Sequence, residues 1–399
     1  MADAIPTDII EDDGVRVFRS ALEAVQFAGH GWEKTARSAA AWGYGGIQLS
    51  SFHLSPKELV ETDLAERVNQ FLAQLPGGDG EGPMGLAGYS THCPMIAWGF
   101  PEHPGSLALS GLDEATMKKV AGKPEELRKH MWENVVQFIP EATKKLGLKG
   151  THTFIPPAVV GGIKDLEYAG ALVPSYNFVP THGIPVLRNG EIVKVNLWEE
   201  ALKAQAEKLK PFFDLLEKHE VYASHEMHFD TVARGIKEFK QALEIMGEQA
   251  KKLVYLGFDT SHAWQGESGL QWIVEGGRLI RNVHVKNKVT QAGLPLITGN
   301  PNWSDRGMQF GAADEGDLPI GYFLNCIVSH SDFVNQPTYR KEEPVGKIGG
   351  RDVYIKWAIG EGEHPTMSQV TVAKEYATTL NRLCQRRYGE GFKVGGTQG

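Results

Sequence analysis

Four apolar runs in the second half of the chain lead directly into ionisable side chains. The stretch VYASHEMHFD, which begins at Val221, carries His225, Glu226 and His228 within four positions. The same pattern recurs three times further on, with Asp259 and His262, with His284 and Lys286, and with Glu361, Glu363 and His364. Side chains of these types serve as metal ligands or as acid/base groups, so their spacing points to a shared site.

Each of these residues alone has an ordinary structural explanation. Glu226 and Glu361 can be solvated carboxylates, His262 can cap a helix, and His284 can be a hydrogen-bonded core histidine. If these side chains converge, the structural explanations become less favourable than a functional one, because carboxylates a few ångströms apart repel and raise one another's pKa. A divalent cation removes that cost. Three carboxylates and one imidazole form an oxygen-rich set that suits Mn²⁺, with Mg²⁺, Co²⁺ or Zn²⁺ as alternatives.

The side chains can meet only if successive strands end at the same face of the fold. Eight strand-like runs are predicted, at 14–22, 44–52, 84–93, 147–157, 221–229, 253–262, 279–287 and 352–363. Helical segments with apolar residues three and four apart lie between most of them, at 32–43, 59–75, 124–146, 197–219, 231–247, 269–277 and 366–387. This alternation favours right-handed βαβ crossovers and a parallel sheet. Eight units predict a closed (β/α)₈ TIM barrel, whose strands end together at the catalytic face.

The alternative fold, an open doubly wound sheet, lacks its dinucleotide signature. No GxGxxG follows the first strand, so no nucleotide cofactor is expected. We expect residues 1–399 to form one barrel domain, with the first residues, about 13 of them, as a flexible tail or a barrel cap. Two long segments, 159–194 after strand four and 289–350 after strand seven, are predicted to lie on the catalytic face. They can be lids and substrate walls or subunit contacts.

Charge and composition exclude several classes of protein. A net charge of −8 without a Lys/Arg block gives no electrostatic footprint for nucleic acid. The three cysteines, Cys93, Cys326 and Cys384, form no CxxC pair, so neither a disulfide scaffold nor a thiolate zinc site is expected. No apolar run approaches the roughly 18 residues that span a bilayer, and the acidic start lacks a signal pattern. We therefore expect a cytoplasmic protein that acts on a small molecule.

The segment GFDTSHAWQGESGLQWIVEGGRLIRNVHVKN resembles a stretch common to the xylose isomerase-like TIM barrels, the sugar phosphate isomerase/epimerase group. That family has an Asp, a His three residues later, a WQG step, an arginine and then HVHxKD. The matching positions here are Asp259, His262, Trp264, Arg278 and His284. Upstream, Glu226-Met227-His228 matches the family's EMH, and Ile359 to Pro365 resembles its IEHEDP with one glycine displacing the pattern.

The resemblance implies a ligand set for one divalent metal ion. Carried over by motif, the ligands are Glu226, Asp259, His284 and Glu361, with Glu363 as the alternative to Glu361. His262 and Lys286 match positions that face the substrate. We add further candidate substrate contacts at His228, His92, Arg306 and Trp264. Asn287 stands where the family has Asp, and the segment after strand seven is long, which leaves substrate specificity open.

The ligand set predicts a metal-dependent sugar isomerase or epimerase. A divalent ion on a sugar or keto-sugar polarises the carbonyl, so that a base can remove the adjacent proton and an enediolate forms. Glu226 and Glu361 come from strands three apart and are candidates for both ligand and base. No Gly-rich helix start is present for a substrate phosphate. A carbohydrate substrate and a homo-oligomer are expected.

Three alternatives remain open at this point. His152, which ends strand four, can act as an acid/base group in a lyase that cleaves 3-oxo-glycosides, as in C-glycoside deglycosidase large subunits. Such an enzyme could have a small partner subunit. A non-catalytic sugar-binding barrel is less favoured. An endonuclease-IV-like nuclease is also less favoured, because the net charge of −8 does not suit DNA.

Overall fold

Eight parallel strands close into a barrel in their order along the chain. The structure, a computed structural model, describes residues 15–102, 105–155, 184–188, 190–195, 197–226, 235–262, 269–290, 308–311, 316–330, 346–348, 351–353, 355–362 and 367–388. The barrel strands are β1 (Arg19–Glu23), β2 (Gly46–Ser50), β3 (Gly85–Ser90), β4 (Gly150–Thr153), β5 (Tyr222–Glu226), β6 (Val254–Asp259), β7 (Ile280–Val285) and β8 (Trp357–Gly360). Seven of them fall within predicted runs, β1 extends one residue beyond its run to Glu23, and the (β/α)₈ TIM barrel is confirmed.

Helices surround the barrel. The α-helices of the described residues are α1 (Trp32–Trp42), α2 (Pro56–Glu61), α3 (Leu64–Gln74), α4 (His92–Gly99), α5 (Ser106–Leu109), α6 (Glu114–Val120), α7 (Pro124–Asn134), α8 (Ile139–Lys145), α9 (Leu197–His219), α10 (Ile236–Met246), α11 (Glu248–Leu253), α12 (Gly269–Gly276), α13 (Ile320–His330) and α14 (Gln369–Cys384). Short 3₁₀ turns occupy Val25–Phe27, Val136–Phe138 and Gly277–Leu279. Within these described residues, no helix combines the length and the apolar character needed to span a membrane.

Two predicted helices prove to be interrupted. The single helix expected over 124–146 is wrong, because α7 ends at Asn134 and α8 begins anew at Ile139. Pro140 lies in the first turn of α8, which is the place in a helix that tolerates a residue without an N–H. The helix expected over 59–75 is also divided, since Thr62 is extended and its hydroxyl accepts from the backbone N–H of Leu64. The patterns identified the apolar faces but not these breaks.

The two long segments carry regular structure of their own. Three antiparallel ribbons lie in their described parts, pairing Ile184–Arg188 with Glu191–Val195, Asn287–Thr290 with Met308–Gly311, and Gly346–Ile348 with Arg351–Val353. Helix α13 lies between β7 and β8 and so completes the strand–helix alternation there. The predicted lid or wall role of these segments stays a prediction.

The pairing register of neighbouring parallel strands places their last residues at a similar height along the barrel axis. Asp259, which ends β6, is paired with His284 in β7, and Glu226, which ends β5, is paired with Gly257 in β6. All residues of β5 and β6 are buried, as expected for strands covered on both faces. At the opposite end, the Trp357 ring occupies the space above Gly46 and Gly85, where any Cβ would collide with it. The amino-terminal end of the barrel is therefore filled, and the polar groups gather at the carboxyl end.

Candidate metal centre

Four ionisable side chains meet at the carboxyl ends of β5 to β8. Glu226 and Asp259 are the last residues of their strands, His284 is the penultimate residue of β7, and Glu361 directly follows β8. Each offers one potential ligand atom, and these atoms all lie within 4.8 Å of one another. Glu226, Asp259 and His284 are at most 4% exposed. The structure thus brings together all four residues that the motif comparison selected as metal ligands.

Hydrogen bonds orient the Glu361 carboxylate from two sides. Its Oε2 lies 2.8 Å from Nδ1 of His284, and its Oε1 accepts from Nζ of Lys286 at 2.7 Å. Nδ1 of His284 is also 3.9 Å from Oε1 of Glu226. The imidazole therefore presents Nδ1 to the carboxylates, and Lys286 contacts the site directly.

The two carboxylate oxygens of Asp259 differ in their hydrogen bonding. Its Oδ1 accepts from the Ser261 amide and hydroxyl, both at 2.7 Å, and from the His262 amide at 3.0 Å. Its Oδ2 is buried and has no hydrogen-bond partner among the described residues. A buried carboxylate oxygen without a partner is costly. A bound cation would satisfy this oxygen. The burial of Oδ2 therefore supports a metal site independently of the sequence motif.

Burial sets the proton affinities of these groups. It raises the pKa of Glu226 well above its usual range; His284 opposes the rise, and Glu361 and Asp259 add to it. Burial likewise raises the pKa of Asp259. Burial alone would lower the pKa of His284, but its hydrogen bond to Glu361 and the charges of Glu226, Glu361 and Glu23 raise it to about 9. Ionising the carboxylates together is unfavourable here, and a divalent cation would relieve that cost.

The pKa of Glu361 is shifted in the opposite direction to that of Glu226. Burial opposes its ionisation, but the charge of Lys286 and the hydrogen bond with His284 outweigh burial and hold its pKa well below the usual range. The two glutamates of the site therefore differ in character. Glu361 is held as an anion, whereas Glu226 has the greater tendency to take up a proton.

Glu23 and Gln48 belong to the site but were not predicted from the sequence. The Gln48 amide nitrogen lies 2.8 Å from Nε2 of His284 and donates to a carboxylate oxygen of Glu23. The Gln48 amide oxygen accepts from Asn282 at 2.9 Å. Burial raises the pKa of Glu23 to about 7, with His284 opposing. The available signal was a polar residue inside each of two apolar strands, Glu23 at the end of β1 and Gln48 within β2.

Two further histidines contact Glu226, and the ring of one of them, His152, also packs against the His284 ring at 4.2 Å between centroids. His152 of β4 places Nε2 3.1 Å from Oε2 of Glu226, and His92 at the start of α4 places Nε2 2.8 Å from the same oxygen. Burial lowers the pKa of His152 well below its usual value, and the neighbouring His284 and His92 add to this shift. His262 lies further off, with Nε2 4.0 Å from Oε1 of Glu226.

Comparisons with known proteins concern the fold. No protein-family model matches the chain, and no curated protein matches it. The barrel is similar to the probable 3-DHS dehydratase AsbF from Bacillus anthracis, with a TM-score of 0.51, 13% identity, and coverage of 91% of this chain and 98% of that one. A xylose isomerase domain protein from Planctomyces limnophilus has a TM-score of 0.49 and 11% identity, with coverage of 92% of this chain and 96% of that one. The chain therefore shares the TIM-barrel fold of that dehydratase.

The comparison also found a third solved structure. It is a xylose isomerase-like TIM barrel protein from Mycobacterium smegmatis in complex with magnesium, with a TM-score of 0.48, 12% identity, and coverage of 92% of this chain and 96% of that one. At these identities the likeness extends to the fold alone. The fold implied by the sequence resemblance is confirmed, and the roles of the site residues stay predictions.

The remaining predicted residues fall into two groups. His228, Trp264, Arg306 and Glu363 are outside the described residues. His225 occupies the face of β5 opposite to Glu226, as alternation along a strand requires. There its Nδ1 accepts from the Ile155 amide at 2.9 Å and its ring stacks on Phe239.

Proposed function

We propose that the protein is a divalent-metal-dependent enzyme that removes a proton next to a carbonyl group of a sugar or keto-sugar, as an isomerase or epimerase. The observation that carries this proposal is the convergence of Glu226, Asp259, His284 and Glu361 around a buried, unpartnered Oδ2 of Asp259. A solvated surface cluster would not bury three of its four members. The non-catalytic sugar-binding barrel offers no reason to assemble such a costly group of carboxylates.

The donor set favours a hard or borderline cation. Three carboxylates and one imidazole nitrogen suit Mn²⁺ best among the common ions, with Mg²⁺, Co²⁺ and Zn²⁺ as competitors. When bound, such an ion would polarise a substrate carbonyl and its neighbouring hydroxyl and so acidify the adjacent C–H.

The side chains around the cation would have different roles in the reaction. Lys286 and His284 engage both oxygens of Glu361, which suits that carboxylate to a fixed anionic role. Glu226 has its Oε2 between Nε2 of His92 and Nε2 of His152, groups that can exchange a proton with it. We therefore assign proton transfer at the substrate carbon to Glu226, with His152 as a partner in that transfer. Glu361 is the second candidate, as a base on the other side of the substrate.

A lyase acting on 3-oxo-glycosides is the second candidate function. It is favoured by the paired histidines next to Glu226, because expulsion of a leaving group requires an acid in addition to the base that removes the proton. The nuclease is not favoured, since the net charge of −8 is unsuited to a DNA backbone.

Solvent exchange tests the proposed chemistry and separates its two forms. We would incubate the Mn²⁺-loaded protein in D₂O with free ketoses and, separately, with 3-oxo-glucosides. Deuterium incorporation at a sugar carbon without release of the aglycone supports the isomerase or epimerase. Prompt aglycone release supports the lyase instead.

The matched variants for this experiment are Glu226→Gln and Glu207→Gln. Glu207 is exposed on α9, the helix that precedes β5, and its replacement should leave exchange unchanged. Glu226→Gln should abolish exchange with either substrate. Full exchange in Glu226→Gln would contradict the proposed base.

A further inference from the structure

Lys286 occupies the single position between β7, which ends at Val285, and the ribbon strand that follows. The last backbone pairing of β7 with β6 joins His284 to Asp259, so this ladder ends before Lys286. The Lys286 side chain is nonetheless buried, and its Nζ donates to Oε1 of Glu361 at 2.7 Å. The groups that hold the backbone at this position therefore decide where the ammonium lies.

A threonine hydroxyl directly after β6 takes the place of the backbone pairing that ends there. The hydroxyl of Thr260 accepts from the Lys286 amide at 3.0 Å and donates to the Lys286 carbonyl at 2.6 Å. Both residues are buried, and a buried backbone polar group without a partner is costly. One side chain therefore satisfies both backbone groups of Lys286 and constrains the backbone there.

The next residue, Asn287, is anchored to two further elements. Its amide donates to the hydroxyl oxygen of Tyr376, a wholly buried residue of α14, at 2.7 Å. Its Oδ1 accepts from the Leu318 amide at 3.1 Å, which ties it to the chain just before α13. The turn that carries Lys286 is therefore held by the end of β6, by α14 and by the segment that precedes α13.

We infer that Thr260 and Tyr376 are positioning residues that fix the Lys286 ammonium against Glu361. This inference rests on the proposed function in one respect, since it takes Glu361 to be a ligand and the second candidate base. Both hydroxyls act through the backbone of the turn, so neither residue is catalytic. Their effect on the reaction is nevertheless large in this account, because a displacement of about 1 Å near reacting groups can cost about 100-fold in rate.

The competing explanation is that both hydroxyls only stabilise the fold and that Lys286 keeps its place without them. Thr260→Val separates the two explanations, because valine keeps the shape of threonine and lacks the hydroxyl. Thr260→Ser restores the hydroxyl and is the rescue variant. The control is Thr143→Val in α8, where a wholly buried threonine hydroxyl donates to a backbone carbonyl at 2.8 Å.

The test is amine labelling of the full-length protein with limiting acetic anhydride, with the rate at each lysine read by mass spectrometry. The buried, ion-paired Lys286 should react slowly in the wild type, in Thr260→Ser and in Thr143→Val. Thr260→Val should label Lys286 about 10- to 100-fold faster, because unpaired buried backbone groups favour local opening by about that factor. Tyr376→Phe should also accelerate this labelling, and it decides the test if circular dichroism shows that Thr260→Val does not fold.

Solvent exchange at the substrate carbon then shows whether the threonine acts through the lysine. Thr260→Val should slow exchange in the Mn²⁺-loaded protein by about 10- to 100-fold, but should add no further loss to the residual exchange of Lys286→Met. Unchanged Lys286 labelling in Thr260→Val and Tyr376→Phe, or equal acceleration in Thr143→Val, would overturn the inference and leave the proposed function standing. Equal slowing by Thr260→Val with and without Lys286 would overturn it as well. A wild type without exchange would contradict the proposed function, and the labelling rates would still decide the positioning of Lys286.

Discussion

His284 uses its two ring nitrogens for different purposes at the residue scale. Nδ1 faces Glu361 and Glu226, while Nε2 faces the amide of Gln48, which is itself bonded to Glu23. Partners of this kind orient a ligating imidazole and select its tautomer. Glu23 and Gln48 are therefore positioning residues in this account, since they would act on the cation only through His284.

Gln48→Ala should weaken metal binding without removing any ligand. Loss of the amide frees the His284 ring, and we expect Mn²⁺ affinity to fall by about 10- to 100-fold. The measurement is the Kd for Mn²⁺ by electron paramagnetic resonance of the free ion. Gln70→Ala, at an exposed position on α3, is the control and should bind as the wild type does. An unchanged Kd in Gln48→Ala would show that His284 needs no support from β2.

Asp259→Asn isolates the role of the unpartnered oxygen. Asparagine can keep the Oδ1 contacts to Ser261 and His262, so the strand end should stay folded. The oxygen that has no partner becomes an NH₂ group, which cannot bind a cation. We expect Mn²⁺ affinity to fall by about 100-fold or more, with circular dichroism unchanged. Wild-type affinity in this variant would remove Asp259 from the ligand set, and Asp63→Asn is the exposed control.

At the scale of elements, the sequence predicted the strands better than the helices. Buried parallel strands are short apolar runs between turn residues, and all eight were located in this way. Helix breaks depend on single residues such as Thr62 and Pro140, which leave the apolar spacing intact. The ligand residues could be predicted from the sequence because parallel strand ends converge in a barrel. Glu23 and Gln48 could not be predicted, because neither belongs to the recognised motif and their contact with His284 crosses the barrel.

The element that most constrains the histidine side of the site is β6. Its Gly257 lies beneath the His152 ring, and an added Cβ would lie 2.5 Å from His152 Cε1 and 3.2 Å from the Glu226 Cα. Gly257→Ala should therefore displace His152 and destabilise the barrel by about 1–3 kcal/mol, the usual cost of overpacking. Denaturant unfolding measures this loss. Gly29→Ala, where nothing lies within 4 Å, is the control, and equal stability of the two variants would contradict the close approach.

For the whole molecule, the carboxyl end of the barrel combines strong burial with several acidic groups. Such an arrangement makes the folded state depend on protons or on a cation. The pKa of Glu23 is raised from 4.5 to about 7, so its stabilising contribution is full below pH 4.5 and is lost as pH rises through 7. The pKa of His284 is raised from 6.5 to about 9, so its contribution is full below pH 6.5 and is lost as pH rises through 9.

Metal removal should consequently matter more at high pH. The Tm of chelator-treated protein should fall between pH 6 and pH 9, whereas the Mn²⁺-loaded protein should change less. Ligands also deprotonate more readily as pH rises, which strengthens metal binding over the same range. With Mn²⁺ at 1,000 times its Kd, linkage adds about 4 kcal/mol. Differential scanning calorimetry with and without chelator measures both curves, and a gap that narrows as pH rises would contradict this electrostatic account.

The most direct test of the central claim is the metal content of the purified, full-length protein. After growth under metal-replete conditions and desalting, elemental analysis should find at least one equivalent of a divalent ion per chain. Glu226→Gln, folded by circular dichroism, should retain almost none, because Glu226 lies at the centre of the ligand set. A wild-type protein that holds no divalent ion under these conditions would contradict the account.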